Sequence, residues 1–221
     1  GAEGDEAMSR PKLKVYTDYK SPYAYLAKDL VYELERETGA EIDWLPYTLD
    51  IPAYLGSARL DETGKVIEES RNAHQWRRVK YSYMDCRREA TRRGLVILGT
   101  QKIWDSSLAS IGLLYAKRHG KAVLRSYHDR VFERFWRRDL DIESVAVLSA
   151  LIDECGGDGS RFAAYVEGDG RREHAAVQLE AEAAGVFGVP SFLLENGDLY
   201  WGREHLPRIR EVLGGDIVGN G

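Results

Sequence analysis

Few residues in this 221-residue chain have the types and spacing that chemistry demands, and spacing alone removes most of them. Cys86 and Cys155 stand far apart and neither opens a C-x-x-C, so no redox pair and no thiolate metal cluster is expected. The five histidines show no H-x-x-x-H or similar pattern, and no metal site is predicted. Gly156-Gly157-Asp158-Gly159 and Gly168-Asp169-Gly170 follow helical rather than strand patterns; they read as loops, not as a dinucleotide fingerprint. What remains is Ser21-Pro22, at the start of an apolar helical run, and Val189-Pro190, just ahead of a strand. Serine before proline is a helix start. The hydroxyl accepts a free amide of the first turn, and proline at the first helical position loses no useful N–H and already has a helical φ. As a nucleophile in its own right Ser21 has no histidine or lysine at a recognisable spacing to take its proton.

The elements that must position these residues follow from periodicity. Residues 13–17 mix β-branched and aromatic types and read as a strand. Tyr23, Leu26, Leu30, Val31 and Leu34 keep the spacing of one buried helical stripe, which runs to Thr38 and is ended by Gly39. Residues 41–45 form a second strand, stopped by Pro46, and the three pieces make a βαβ unit with parallel strands. From about 50 to 170 the pattern is helical, with almost no strand signal. Residues 59–70 are polar, contain Asp61-Glu62-Thr63-Gly64, and are predicted to be an exposed loop. Helices are predicted over 73–93, 107–119, 123–137, 142–154 and 171–184, four of them closed by a glycine at 94, 120, 156 or 185. Strands at 191–195 and 198–201 flank Asn196-Gly197, a strong hairpin signal, and a last helix reaches Leu213. Without the helical middle the order is β-α-β, then α-β-β-α. This is an α/β chain with the element order of a thioredoxin-like fold: residues 11–49 and 171–214 form the thioredoxin-like domain, and 50–170 an inserted all-helical domain. In that fold Ser21-Pro22-Tyr23-Ala24 faces Val189-Pro190 across a cleft.

These segments also carry a resemblance. Asp18-Tyr19-Lys20-Ser21-Pro22-Tyr23-Ala24-Tyr25-Leu26-Ala27, with Gly185-Val186-Phe187-Gly188-Val189-Pro190-Ser191-Phe192 and Tyr200-Trp201-Gly202, resembles the 2-hydroxychromene-2-carboxylate isomerases. These belong with the kappa-class glutathione transferases, in the branch related to DsbA-type thiol oxidoreductases. The likeness covers nearly the whole chain, since Lys80-Tyr81, Asp85, Arg88, Ala90, Gly94-Leu95, Trp136, Asp139 and Ile142 fall where that family has similar residues. It implies glutathione as cofactor and Ser21 as the residue that hydrogen-bonds the glutathione sulfur. The physics supports such a role. A helix amino terminus contributes ~0.3–1 kcal/mol to an anion, up to ~2 when partly buried, and a hydrogen bond to a charged group about 1.5–3 kcal/mol. Taking a thiol from a pKa near ~8.5 to below neutrality needs roughly 2–3 kcal/mol, so the two suffice, with Lys20 as an assisting cation.

The resemblance further implies a cis Val189-Pro190 bond that turns the backbone of Val189 toward a peptide-like ligand. Pro22 and Tyr23 are implied at the glutathione site by position. Past Trp201-Gly202 the family has a small polar residue and an aspartate that hold the γ-glutamyl end; here Arg203 and Glu204 stand there. Asn72 is the nearest counterpart of a family asparagine, without that asparagine's neighbouring prolines. For an isomerase the substrate carboxylate needs a cation, for which Lys80, Arg77 and Arg78 are candidates. The implied activity is a glutathione-dependent isomerase of aromatic degradation. A kappa-like transferase or peroxidase, and a DsbA-like binding protein without redox activity, stand as alternatives, and a homodimer is implied by the family alone.

Composition bounds the rest. With 43% apolar and 30% charged residues and a net charge of −5, the chain is of the soluble globular class, long enough to fold without disulfide or metal staples. No run approaches the ~20 apolar residues of a membrane helix, residues 1–14 hold no apolar signal core, and residues 1–7 read as an arm outside the fold; the expected address is the cytoplasm. The cluster Arg77, Arg78, Lys80, Arg87, Arg88, Arg92 and Arg93 is diluted by Asp85 and Glu89 in an acidic chain, so a solvated helix face is expected rather than nucleic acid. The expected partner is a small-molecule substrate.

Overall fold

The computed structural model describes residues 9–50, 58–60, 66–69 and 72–214. Strand β1 (Lys12–Thr17) leads through a turn into helix α1 (Pro22–Thr38). Ser21 is extended at φ −95° and ψ 117°, and its Oγ accepts the Ala24 N–H at 3.2 Å. Gly39 closes the helix at φ 69°, in the left-handed region where a Cβ is costly, and its N–H returns to the Glu35 carbonyl. Strand β2 (Glu41–Pro46) then lies parallel to β1, in register from Lys12 opposite Glu41 to Thr17 opposite Pro46.

After the central stretch, β5 (Ser191–Leu194) and β6 (Leu199–Trp201) form an antiparallel hairpin about Gly197, and β5 runs antiparallel along the free edge of β1. The sheet order is β2-β1-β5-β6. This mixed sheet with its helices is the thioredoxin-like α/β fold that the order of elements predicts.

The central stretch departs from expectation at its start. Within the predicted loop 59–70 the described residues are strand, so the inserted stretch is not all-helical: β3 (Ala58–Leu60) and β4 (Val66–Glu69) pair antiparallel, with an irregularity between Arg59 and Leu60, while 61–65 and 70 lie outside the described residues. Pairing satisfies the backbone groups that face the partner strand, and this needs none of the apolar alternation by which a strand is read from sequence. Helices α2 (Ala73–Arg93), α3 (Ser107–Lys117), α4 (Lys121–Trp136) and α5 (Val145–Glu154) follow close to their predicted places. Helix α5 starts later than its apolar pattern suggests, because Ser144 caps it, accepting the Val147 N–H at 3.2 Å. The glycine-rich segments read as loops border short helical turns: a 3-10 turn at Gly159–Arg161, helix α6 (Phe162–Tyr165), and a kinked stretch at Val166–Gly170, non-helical at Gly168 (φ −96°, ψ −109°), ahead of α7 (Arg171–Ala183). Gly159 is required there, since a Cβ would stand 2.0 Å from the Ser149 carbonyl oxygen. Helix α8 (Leu206–Gly214) ends the described chain.

Helix α3 is buried from Leu108 to Ala116 and packs on β2, α4 and α7. Its approach to α4 depends on Gly112, where a Cβ would lie 2.0 Å from the Tyr127 hydroxyl oxygen; that hydroxyl donates to the Ala109 carbonyl at 2.8 Å. Leu13 and Phe192 of the sheet, Leu26 of α1, and Phe132 and Trp136 of α4 belong to one buried cluster. Tyr25 stacks on Phe132, with ring centroids 5.3 Å apart and planes within 7°. The start of α1 is therefore packed directly on the helical stretch.

Candidate active site

The amino terminus of α1, the loop before β5 and the carboxyl-terminal side of β2 border one cavity of about 850 Å³. A cleft beyond the carboxyl ends of parallel strands is the usual place for a ligand in an α/β sheet. Its first wall is built from Ser21, Val189, Pro190, Trp201 and Gly202. The Val189-Pro190 bond is cis. Neither the N–H nor the C=O of Val189 has a hydrogen-bond partner among the described residues. Gly188 has no room for a Cβ, which would stand 2.8 Å from Trp201 Nε1. Phe187 and Trp201, 55% and 44% exposed with ring centroids 4.9 Å apart, make an aromatic rim.

Ser21 is only 5% exposed, yet it lines the cavity. Its Oγ accepts the Ala24 N–H, while its own hydroxyl hydrogen finds no acceptor among the described residues. Capping thus uses a lone pair and leaves the donor for a ligand. Lys20, beside it, is committed elsewhere: its Nζ donates to the Leu49 carbonyl at 2.5 Å and to Ser106 Oγ at 2.9 Å, and lies 3.3 Å from Asp18 Oδ2. An ammonium has three donors, so Lys20 has none left for a ligand.

Tyr23 lines the cavity and donates to Asp85 Oδ2 at 3.2 Å. Burial, with the charge of Asp85 among the lesser causes, lifts its pKa well above the ordinary phenol value, so it stays protonated. Behind it Cys86 is fully buried and its thiol is pushed up to about 12, chiefly by burial. Arg203 lies over the Tyr23 ring at 5.6 Å, half-buried, with no carboxylate within 4.0 Å among the described residues. Glu204 also borders the cavity, its side chain 69% exposed.

The structure therefore brings Ser21, Pro22, Tyr23, Val189, Pro190, Arg203 and Glu204 to one cavity. Asn72 and Lys80 are not among its lining. Asn72 caps α2: its Oδ1 accepts the Gln75 N–H at 2.8 Å, and Gln75 Oε1 accepts the Asn72 N–H at 2.9 Å. Lys80 is exposed on α2, as is Arg77, whereas Arg78 borders the cavity. Sequence reasoning missed the rest of the lining. Tyr47 and Leu49 stand just beyond β2, and Tyr83, Thr100, Lys102 and Trp104 come from the helical stretch. The available signal for Tyr47 and Leu49 was their place after the end of a parallel strand. Lys102 is paired with Glu143 at 2.8 Å and lies over the Trp104 ring at 4.2 Å. Among the described residues no group of three or more His, Cys, Asp or Glu could hold a metal ion, and no helix is long and apolar enough to cross a membrane.

A thioredoxin-like α/β sheet whose cis-proline loop and first helix start border one cavity, with Ser21 and Ala24 rather than cysteines at that start, defines a thioredoxin-fold protein without a cysteine pair at that helix. A family model described as a DsbA-like thioredoxin domain matches residues 12–214, and the chain belongs to this family. It is 24% identical over 203 residues to a 2-hydroxychromene-2-carboxylate isomerase of Sphingobium xenophagum, covering 91% of this chain and 97% of that protein. A solved structure of 2-hydroxychromene-2-carboxylate isomerase superposes with a TM-score of 0.70 at 21% identity, over 92% of this chain and 94% of that one. The structure of the cytosolic disulfide reductase DsbM from Pseudomonas aeruginosa with GSH gives a TM-score of 0.60 at 17% identity, over 91% and 96%. At these identities the two structures show a common fold.

Proposed function

We propose that this protein is a glutathione-dependent isomerase acting on 2-hydroxychromene-2-carboxylate-like intermediates of aromatic degradation. The observation that carries the reading is the pairing of a free Ser21 hydroxyl donor with an unengaged Val189 backbone on one cavity wall. A thiol-bearing peptide needs both: a donor for its sulfur and an edge-like partner for its backbone. The isomerase relatives and the GSH-bound neighbour support the same reading.

Glutathione, when bound, supplies a thiolate able to add reversibly to an unsaturated hydroxychromene acid and to leave again once the substrate has isomerised. Ser21 would donate its hydroxyl to the sulfur, and the first amides of α1 add their partial positive charge, so the thiol is held deprotonated near neutral pH. Val189 would pair with the cysteinyl backbone, and Pro22 and Tyr23 would pack beside it. Glu204 supplies the negative charge for the α-amino group, and Arg203, over the Tyr23 ring and with no carboxylate within 4.0 Å among the described residues, a cation for a carboxylate at that end. Arg78, on the helical wall, replaces Lys80 as the proposed partner of the substrate carboxylate.

Calorimetric titration with glutathione tests the reading, together with the thiolate absorbance of the bound ligand near neutral pH. Binding with a thiolate signal is expected for the native protein, and Ser21→Ala should keep binding but lose the signal. No binding at millimolar glutathione would end the glutathione part. Product analysis with a chromene acid separates an isomerase, which returns the thiol, from a transferase, which keeps it on the product.

A further inference from the structure

Beside the cavity, two consecutive residues have their backbone groups held by side chains rather than by a strand. The β1–β2 pairing ends with the Tyr47 N–H donating to the Thr17 carbonyl at 2.9 Å. The Thr48 N–H then donates to Gln178 Oε1 at 3.0 Å, and its carbonyl accepts Gln178 Nε2 at 3.1 Å. One amide side chain of α7 thus pairs with Thr48 as a neighbouring strand would. The Leu49 N–H donates to Asp18 Oδ2 at 2.8 Å, and the Leu49 carbonyl accepts Lys20 Nζ at 2.5 Å. Asp18 and Lys20 are 0% and 8% exposed, and the same ammonium reaches Ser106, directly ahead of α3. The Thr48 hydroxyl is held as well, 2.9 Å from Ser110 Oγ and 2.7 Å from His174 Nε2.

A loop at a surface normally leaves such groups to water. Here three separate elements converge on Thr48 and Leu49, and an ion pair is buried to do so. Buried ion pairs are poor sources of net stability, which points to a geometric use. The segment so fixed puts Tyr47 and Leu49 on the cavity that Ser21 and Val189 also line.

We infer that Asp18, Lys20 and Gln178 are positioning residues that hold the Tyr47 and Leu49 wall as the platform for the second reactant, a flat aromatic molecule, apart from the wall that takes the thiol. The inference rests on the two-reactant reading of the cavity proposed above. Gln178 acts only through Thr48 and does not line the cavity. Lys20 fixes Leu49 and the start of α3 together, so the wall and the helical stretch keep one spacing from α1.

The test compares two probes in the native protein, Gln178→Leu and Lys20→Met: 2-naphthoate without glutathione, followed by tryptophan fluorescence, and glutathione, followed by calorimetry. Gln178→Leu should weaken 2-naphthoate at least fivefold and leave glutathione within twofold; Lys20→Met should act in the same direction and more strongly. Hydrogen exchange supplies a readout free of ligands: the Thr48 amide should lose protection in Gln178→Leu while the β1 amides keep theirs. Equal weakening of both probes, unchanged naphthoate affinity, or no naphthoate binding by the native protein would overturn the inference, as would an unprotected Thr48 amide in the native protein. Failure of glutathione alone to bind counts against the proposed function only, and the naphthoate and exchange results then decide the wall's role.

Discussion

The Tyr19 hydroxyl lies 2.6 Å from Nδ1 of His128, and both residues are sealed from solvent. The same tyrosine accepts the Trp136 indole N–H on its carbonyl at 3.1 Å. The chain two residues ahead of Ser21 is thus fixed to α4 through both its side chain and its backbone. Tyr127, Phe132 and Trp44 pack around the pair.

This pair makes stability depend on acid. Burial first, then the charges of Lys28 and Lys117, lowers the His128 pKa to about 3, so the folded protein keeps it neutral. The unfolded chain takes up a proton near pH ~6.5. Stability from a neutral His128 is therefore fully present above that value and declines as pH falls from about 6.5 toward 3, by at most about 1.4 kcal/mol per pH unit. His128→Gln keeps a partner for Tyr19 and removes the titration. Denaturation midpoints measured from pH 7 to pH 4 should fall less steeply for the variant than for the native protein; parallel curves would refute the assignment.

Asn72 offers a clean separation of capping from binding. Its side chain and that of Gln75 satisfy each other's backbone amides at the start of α2. Asn72→Ala should lower stability by about 0.5–2 kcal/mol, seen in urea denaturation, while glutathione affinity stays within twofold. A tenfold loss of affinity with unchanged stability would return Asn72 to the ligand site.

Gly112→Ala should be among the costlier single-atom additions, because the new methyl meets the Tyr127 hydroxyl. Overpacking of this kind costs roughly 1–3 kcal/mol. In a Tyr127→Phe background the added cost should shrink, and a double-mutant cycle by urea denaturation reads the coupling.

The two thiols should be poor nucleophiles. Cys86 is fully buried with its pKa pushed up to about 12, and burial raises that of half-buried Cys155 as well. A thiol reagent at pH 8 should modify Cys155 slowly and Cys86 only on unfolding, and insulin reduction should stay at background. Rapid modification of both in the native protein would contradict this packing.

Local signals were the legible part. Ser21, Gly39, Gly94 and the Asn196-Gly197 turn act within a few residues of themselves, and their elements stand where the sequence places them. The β3–β4 pair escaped because its segment is polar and Asp61-Glu62-Thr63-Gly64 reads as a loop, whereas the equally short β5 and β6 flank the Asn196-Gly197 turn signal. Lys20 reads as a cation beside Ser21, but its acceptors Leu49 and Ser106 are remote in sequence, so its commitment shows only in three dimensions. Lys80 and Arg78 are two positions apart on α2, yet a helix turns about 100° per residue, and only Arg78 faces the cavity.

The central place of β1 has a consequence for how the chain is made. Its partners are β2, translated soon after it, and β5, translated only after every helix from α2 to α7. On the ribosome β1 therefore waits with one edge open, an exposure that invites mispairing with another nascent strand. The helical stretch, rich in contacts close in sequence, can condense during that interval and shield the edge until the final hairpin emerges to close it.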